Sequence, residues 1–363
     1  MRLPTEQIER IKELGYTDVE AGFLYIVMVH SGYFTLRQFL AFSQARRGKR
    51  SIVFAQKLLK RGHARMRDYL GAGSVFHVFS RTIYRQVEKD NLRNRKAHSF
   101  DFIRTRLVLL EFILENQESD YLETEQDKVS FFCEKLGVSK DFLPAKVYEG
   151  RPGSPPTIRY FVDKFPLFLA PPFPGAAPVV TLSFVDSGFE NPLSFPGHLT
   201  AYQGLFRQLR TFRFLYIAPK DAYFPRAEER FRSLVRRPLE SDTSSEILRY
   251  FHIRKKWDNH EYVVPVTADL EFLNEARRRI HGARFDGLYR AWNAGELSEN
   301  GLRAECAQLT PDHTVFFDTY LVRNRRSALT VEQGMGERGM KDTVHRVVHP
   351  SVHPKGERKC LTA

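Results

Sequence analysis

The N-terminal part of the fold is decided by one basic stretch, Arg46–Arg67, which reads RRGKRSIVFAQKLLKRGHARMR. Its positively charged residues, which no Asp or Glu interrupts, are Arg46, Arg47, Lys49, Arg50, Lys57, Lys60, Arg61, Arg65 and Arg67. A block of one charge sign opposes folding through self-repulsion, so it usually has a polyanionic partner. A solvated helix face or a basic loop would have the same composition, but the sequence around the stretch favours a polyanionic partner.

Two helices are predicted upstream of this stretch. Thr17 with Glu20, and Thr35 with Gln38, have the spacing of a capping box, which marks a helix N-terminus. The nearly all-apolar run 21–30 indicates that the first helix is buried. The second helix follows Thr35 and has apolar residues at spacings of three and four.

A third helix and a β-hairpin are predicted within and after the basic stretch. The helix runs from about Arg50 to Lys60, and Gly62 is its C-terminal stop. Its predicted buried side chains are Ile52, Val53, Ala55, Leu58 and Leu59. Strands are predicted at 63–69 and 75–79, joined by a Gly-rich turn. Three short helices followed by a hairpin predict a winged helix-turn-helix.

The predicted contacts with double-stranded DNA follow from position in this arrangement. Arg50 and Gln56 on the third helix have the donor geometry to read guanine or adenine edges in the major groove. The other candidates on this helix are Ser51, Lys57 and Lys60. The residues expected to contact phosphates are Arg46, Arg47, Lys49, Arg65 and Arg67. A winged helix can also serve as a protein–protein module, and that alternative stays open.

The middle of the chain alternates strands with helices. After a loop at 141–156, strands are predicted at 157–163, 179–185 and 212–217, with a helix between the last two. The proline-rich segment 166–178 is predicted to be a loop. This alternation predicts a small α/β domain.

Asp163 and Asp186 are the candidate catalytic carboxylates, because each ends a predicted apolar strand. Two such carboxylates with a lysine could bind a divalent ion and activate water. No lysine lies two residues beyond Asp186, however, and Lys164 would point to the opposite face of its strand. We therefore expect a degenerate core that does not cleave, with no catalytic residue, metal site or cofactor.

The composition of the chain and its apolar pattern predict where in the cell the protein is located. The net charge is +13, and the three cysteines have neither disulfide-framework nor metal-ligand spacing. The longest apolar run is far shorter than a membrane span, and the N-terminus has no signal-peptide core. These features predict a cytoplasmic protein that does not bind a membrane. The tail contains His345, His349 and His353, but Pro350 interrupts any helix that would align them as metal ligands.

Three further segments carry a resemblance to a known family. The basic lead-in RNRKAH (93–98), the leucine-rich helix 100–116 and the acidic segment 121–129 follow the predicted winged helix. In element order, residues 17–220 resemble the replication-relaxation family. The resemblance implies a DNA-binding winged helix joined to a restriction-endonuclease-like domain, in plasmid mobilisation or replication. It also allows a relaxase or a replication protein as a partner.

Taken together, these observations predict an α+β chain with four regions. They are a winged helix-turn-helix DNA-binding domain (1–90), a helical connector (91–150), an α/β domain (151–323) and a disordered basic tail (324–363). The predicted function is a non-catalytic DNA-binding accessory or regulatory role in a mobile element. A winged-helix transcription regulator and a metal-dependent nuclease using Asp163 and Asp186 are the alternatives, and a homodimer stays open.

Overall fold

The computed structural model of the chain describes residues 3–44, 48–69, 73–89, 92–149, 155–163, 165–188, 194–261, 267–309 and 313–322. The predicted tail and the residues Arg46, Arg47 and Lys164 lie outside these ranges. The described residues form one compact unit. Its fold is mixed α+β, which confirms the predicted class. None of the helices in the described ranges has the length and apolar character needed to cross a bilayer.

The N-terminal region combines helices with a small antiparallel sheet. The helices are α1 (Thr5–Glu13), α2 (Asp18–Ile26), α3 (Leu36–Phe42) and α4 (Lys49–Lys60). The strands are β1 (Tyr33–Thr35), β2 (Ala64–Tyr69) and β3 (Gly73–Val78), in the order β1-β3-β2. Both predicted capping boxes are confirmed, at Thr17 and at Thr35. A π-helical turn, Val27–Ser31, extends α2.

Phe54 lies at the centre of the N-terminal core. Its ring stacks on that of Phe39 with 4.2 Å between centroids, and it lies 5.9 Å from Phe34 and 6.1 Å from Phe23. Burying each of these rings contributes about 1.5–3 kcal/mol to stability. The aromatic contacts of Phe54 therefore determine which face of α4 points inward.

The prediction for the buried face of α4 is partly wrong. Ala55 and Leu58 are buried as predicted. The side chains that are exposed instead are Ile52 (54%), Val53 (52%) and Leu59 (38%). A helix turns once in 3.6 residues, so positions three or four residues from an inward residue share its face. Phe54 and Leu58, four residues apart, are inward together with Ser51 and Ala55, and Ile52, Val53 and Leu59 lie outside this arc of the helix.

A further helix covers the second face of the small sheet. After α5 (Arg81–Gln86), the helix α6 (Phe100–Glu115) packs Ile103 and Leu107 against Tyr33 and Val75. The sheet therefore lies between the α2–α4 helices on one side and α6 on the other.

The remaining strands form a five-stranded sheet and a separate two-stranded ribbon. They are β4 (Asp120–Tyr121), β5 (Ala145–Tyr148), β6 (Thr157–Tyr160), β7 (Leu167–Ala170), β8 (Val179–Val185), β9 (Thr211–Ala218) and β10 (Thr314–Leu321). The large sheet has the order β10-β9-β8-β7-β4, with β8, β9 and β10 parallel and β4, β7 and β8 antiparallel. The predicted loop 166–178 is wrong in part, because β7 lies within it. The predicted strand 157–163 ends at Tyr160 and pairs with β5 in the ribbon.

The remaining helices flank the large sheet or form a group of their own. They are α7 (Glu125–Ser130), α8 (Ser194–Gln208), α9 (Phe224–Phe231), α10 (Arg237–Asp258), α11 (Thr267–Arg279), α12 (Ala283–Asn293) and α13 (Glu299–Ala307). Helix α8 connects the parallel strands β8 and β9, as a crossover must. Helices α10–α13 share a separate apolar cluster that includes Phe251, Trp292 and Leu302.

One hydrophobic cluster joins the N-terminal region to the large sheet. It contains Phe54 of α4, Phe112 of α6, and Val185 and Ile217 of the sheet. Helix α6 is the element that both parts share, because it contacts β1, β8 and β9. A fragment ending near residue 90 would therefore lose part of the core on which α2 packs.

Candidate nucleic-acid interface

The exposed face of α4 carries a regular stripe of side chains. Lys49, Val53, Gln56 and Lys60 recur at spacings of four, three and four residues and are all exposed, so they follow one side of the helix. Ile52 is exposed beside Val53. The sequence of α4, KRSIVFAQKLLK, contains no carboxylate. This stripe presents hydrogen-bond donors and methyl groups with no competing negative charge.

Arg50 and Ser51 are both predicted to contact DNA, but they lie on different sides of the first turn of α4. Arg50 is exposed on the flank of the stripe. Ser51 is buried, and its hydroxyl donates a hydrogen bond to the carbonyl of Gly48 at 3.1 Å. Ser51 therefore faces the core and helps to hold the start of the helix.

Lys57 lies on the same flank as Arg50, but it has a partner within the protein. Its ammonium group forms an ion pair with the carboxylate of Glu20, whose side chain is only 9% exposed. The same carboxylate accepts the backbone N–H of Thr17 at 2.9 Å as part of the capping box. Lys57 therefore links α4 to the start of α2, and the Glu20 carboxylate already offsets part of its positive charge.

The C-terminal end of α4 is held by an aromatic side chain from the loop before α2. The hydroxyl of Tyr16 lies 2.7 Å from Nδ1 of His63, and burial raises the pKa of this hydroxyl. The guanidinium of Arg61 lies 5.2 Å from the centre of the Tyr16 ring. A Cβ at Gly15 would come within 2.4 Å of that guanidinium and displace it, and the φ of +80° at this position also favours glycine. Tyr16 thereby fixes how α4 leads into β2.

Arg65 and Arg67 lie on strand β2, on the side of the small sheet away from α4. Arg65 is opposite His77 and Arg67 is opposite Val75 in the β2–β3 register. Cross-strand partners share a face, and Val75 packs against α6. The guanidinium of Arg65 lies 4.1 Å from the centre of the Phe79 ring. The structure therefore does not bring these two arginines onto the α4 stripe.

Sequence reasoning missed the apolar part of this surface. Ile52 and Val53 were expected in the core, and Met66 on β2 is also exposed, by 45%. The helical repeat could have identified them. If Phe54 is taken as the central core residue, positions 52 and 53 fall outside the buried face of the helix. Arg46 and Arg47, in the turn before α4, lie outside the described residues.

Asp163 lies in the turn after β6, within a buried polar group. Its Oδ2 accepts a hydrogen bond from the hydroxyl of Tyr202 at 2.8 Å and lies 3.3 Å from Nδ1 of His198. Its Oδ1 accepts the backbone N–H of Phe165 at 3.0 Å. Burial alone would raise the pKa of this carboxyl, but the hydrogen bond and charge of His198 and the charge of Lys128 outweigh it and lower the pKa to about 2.

Asp186 directly follows β8 and has a different set of partners. Its Oδ1 accepts the backbone N–H of Gly188 at 2.6 Å, and its Oδ2 accepts the hydroxyl of Tyr216. Among the described residues, the two candidate carboxylates therefore share no hydrogen-bond partner. Within the described part of the chain, no group of three or more His, Cys, Asp or Glu side chains is arranged to hold a metal ion.

The chain was compared with protein-family models, with curated proteins and with solved structures. No family model, no curated protein and no solved structure matches it.

Proposed function

We propose that residues 17–79 form a winged helix-turn-helix that binds double-stranded DNA with α4 in the major groove. The order of elements supports this proposal: helix α2, strand β1, helices α3 and α4, then the β2–β3 hairpin. The observation that carries it is the exposed α4 stripe of Lys49, Val53, Gln56 and Lys60, which lacks any carboxylate. A solvated helix face without a partner would gain nothing from exposing both Ile52 and Val53.

The dimensions of the stripe suit the groove. Lys49 and Lys60 are eleven positions apart, which is roughly 16 Å along a helix that rises about 1.5 Å per residue. The major groove is about 12 Å wide, so the two ammonium groups can reach phosphates on opposite strands. Gln56 lies between them and can bond the N6 and N7 edge of adenine, while Val53 can contact a thymine methyl.

We infer the role of this binding in the cell from the family resemblance. The resemblance to the replication-relaxation family supports a non-catalytic accessory or regulatory role in plasmid mobilisation or replication. A transcription regulator would use the same α4 surface. The nuclease alternative gains no support from Asp163 and Asp186, because each is engaged in its own hydrogen-bond network.

The test is DNA binding by the full chain. Fluorescence anisotropy with a random-sequence duplex at about 50 mM salt should detect binding by the parent protein. The double variant Lys49→Ala/Lys60→Ala should bind more weakly, because it loses two phosphate contacts. The matched control is Lys135→Ala/Lys140→Ala, which removes the same charge from exposed positions away from α4.

Equal weakening by both double variants would mean that only net charge matters, and it would overturn the assignment of α4. Absence of binding by the parent protein would overturn the proposal as a whole.

A further inference from the structure

Two basic parts of the sequence are not used by the α4 stripe: the arginines of β2 and the segment RNRKAH (93–98). The structure places them side by side, on the face of the small sheet away from α4. Arg65 is opposite His77 in the β2–β3 register, and Nε2 of His77 donates a hydrogen bond to the backbone carbonyl of Asn94 at 3.0 Å. His77 therefore joins the hairpin to the segment.

The segment is held in place by contacts with the core. Asn94 is buried, and its side-chain amide donates to the carbonyls of Met28 and Val29 in the π-helical turn that extends α2, each at 2.9 Å. The hydroxyl of Tyr33 donates to the carbonyl of Lys96 at 3.2 Å. The exposed side chain of Lys96 therefore extends from a fixed backbone position.

Cations lie against partly exposed aromatic rings on both sides of this segment. The guanidinium of Arg65 lies 4.1 Å from the centre of the Phe79 ring. On the other side, the guanidinium of Arg93 lies 4.9 Å from the centre of the Tyr148 ring and donates to its hydroxyl at 3.3 Å. The ammonium group of Lys146 lies 5.6 Å from the centre of the same ring. These five side chains and Lys96 form a basic and aromatic track from the β2–β3 hairpin to the β5–β6 ribbon.

Two carboxylates near the track have cations of their own. Oδ1 of Asp101 lies 3.5 Å from Nη1 of Arg104, and Oε2 of Glu125 lies 3.2 Å from Nε of Arg159. Residues 91–100 contain no Asp or Glu. Glu149, which directly follows β5, adds one negative charge that the four cations of the track outweigh. The track therefore favours a polyanion.

The pairing of cations with rings favours a single strand over a duplex. A guanidinium that lies against a ring is held in place, so a nucleic-acid base can stack on its outer face. The neighbouring ammonium groups can contact phosphates. The bases of a duplex are already stacked on each other, so a second duplex would use only the cations.

We propose that this track binds single-stranded DNA. Its hairpin end lies on the face of the small sheet away from α4, so the proposal goes beyond duplex binding by the α4 stripe and can hold or fail without it. Only the choice of DNA over RNA rests on the proposed function.

Two variants test the track in the full chain. Tyr148→Leu removes a ring without changing the charge, and Arg65→Met removes a cation while keeping an unbranched side chain beside Phe79. The controls make the same changes outside the track, as Tyr223→Leu before α9 and Arg284→Met on α12. Fluorescence anisotropy would use labelled oligo(dT), oligo(U) and a random-sequence duplex at about 50 mM salt. Thermal unfolding followed by circular dichroism checks that each variant is folded.

We expect the parent protein to bind oligo(dT). Tyr148→Leu and Arg65→Met should each raise the Kd for oligo(dT) by about fivefold or more, the effect of losing one stacked base, and the controls should not. The α4 variant Lys49→Ala/Lys60→Ala should weaken duplex binding but leave the Kd for oligo(dT) within about twofold of the parent value, because salt screens distant charges.

Three results would overturn the proposal: oligo(dT) does not bind, oligo(U) binds more tightly than oligo(dT), or Tyr148→Leu binds oligo(dT) as tightly as its control. Loss of oligo(dT) binding in Lys49→Ala/Lys60→Ala would place the strand on α4 and would also overturn it. A parent protein that binds oligo(dT) but no duplex would support the track and refute only the α4 proposal.

Discussion

Glu20 and Lys57 form an ion pair that joins the first turn of α2 to the exposed flank of α4. The carboxylate is nearly buried and also accepts the backbone N–H of Thr17. One lysine of the basic stretch therefore stabilises the fold, while its neighbours Lys49 and Lys60 remain exposed. Replacing each lysine in turn should therefore change the free energy of unfolding by different amounts.

Lys57→Met should destabilise the protein by about 3 kcal/mol, because it leaves the Glu20 carboxylate buried without its counter-charge. Lys60→Met, on the exposed stripe, should change stability by less than about 0.5 kcal/mol. Denaturant unfolding of both variants measures this difference. Equal effects would show that the ion pair contributes no more than an exposed lysine.

DNA binding by the parent protein should weaken steeply with salt. Roughly six phosphate contacts give a slope near −5 for log affinity against log salt concentration, because each contact releases counterions. Lys49→Ala/Lys60→Ala should make the slope shallower by about 2. Anisotropy titrations over a salt series give both slopes, and a flat response from the parent protein would exclude a phosphate-based interface.

Gln56→Ala should mainly relax the preference at one base pair, by about 1–3 kcal/mol, since glutamine can pair with an adenine edge. Lys60→Ala should weaken binding to all sequences by a similar factor. Selection of bound duplexes from a random library, followed by sequencing, separates the two effects. Uniform weakening by Gln56→Ala would show that this side chain reads no base.

Asp163 should make stability depend on pH in the acid range. Its pKa is about 2 in the folded protein and about 3.9 when unfolded. The folded state therefore favours the ionised form, so this stabilisation is complete above about pH 4 and is lost as pH falls toward about 2. Unfolding measured from pH 5 to pH 2 should give a shallower dependence for Asp163→Asn than for the parent protein. Identical slopes would contradict the assignment.

The protein should not nick supercoiled plasmid with magnesium or manganese. Asp163 and Asp186 are each engaged by a tyrosine hydroxyl and a backbone N–H, and in the described part of the chain they share no partner through which a common ion could bind. Nicking by the parent protein that both Asp163→Ala and Asp186→Ala abolish would overturn this prediction. Nicking that survives both substitutions would come from a contaminant.

Local sequence signals were reliable at several positions, although not at Thr243. The capping boxes at Thr17 and Thr35 were predictable because each depends on two residues three positions apart. Strand β8 was predicted at its observed bounds, because its sequence VVTLSFV is rich in the β-branched residues that favour strands. These features need no knowledge of the rest of the chain.

Features that depend on distant residues were not predictable in the same way. Thr243 and Glu246 have capping-box spacing, yet Thr243 lies inside α10 and its hydroxyl donates to the carbonyl of Leu239 at 3.0 Å. The partner of Lys57 is 37 residues away, and Asp163 meets His198 only through tertiary folding. No local spacing encodes such pairs.

Strand β10 completes the large sheet only after α10–α13 have been made. It pairs in parallel with β9 from Thr314 to Leu321, whereas β9 itself ends at Ala218. During synthesis on the ribosome, the edge of β9 is therefore left uncovered while almost a hundred residues emerge. An open parallel edge of this kind invites pairing with other chains. Newly made protein should thus depend on chaperones until β10 docks, even though the α2–α4 helices have formed long before.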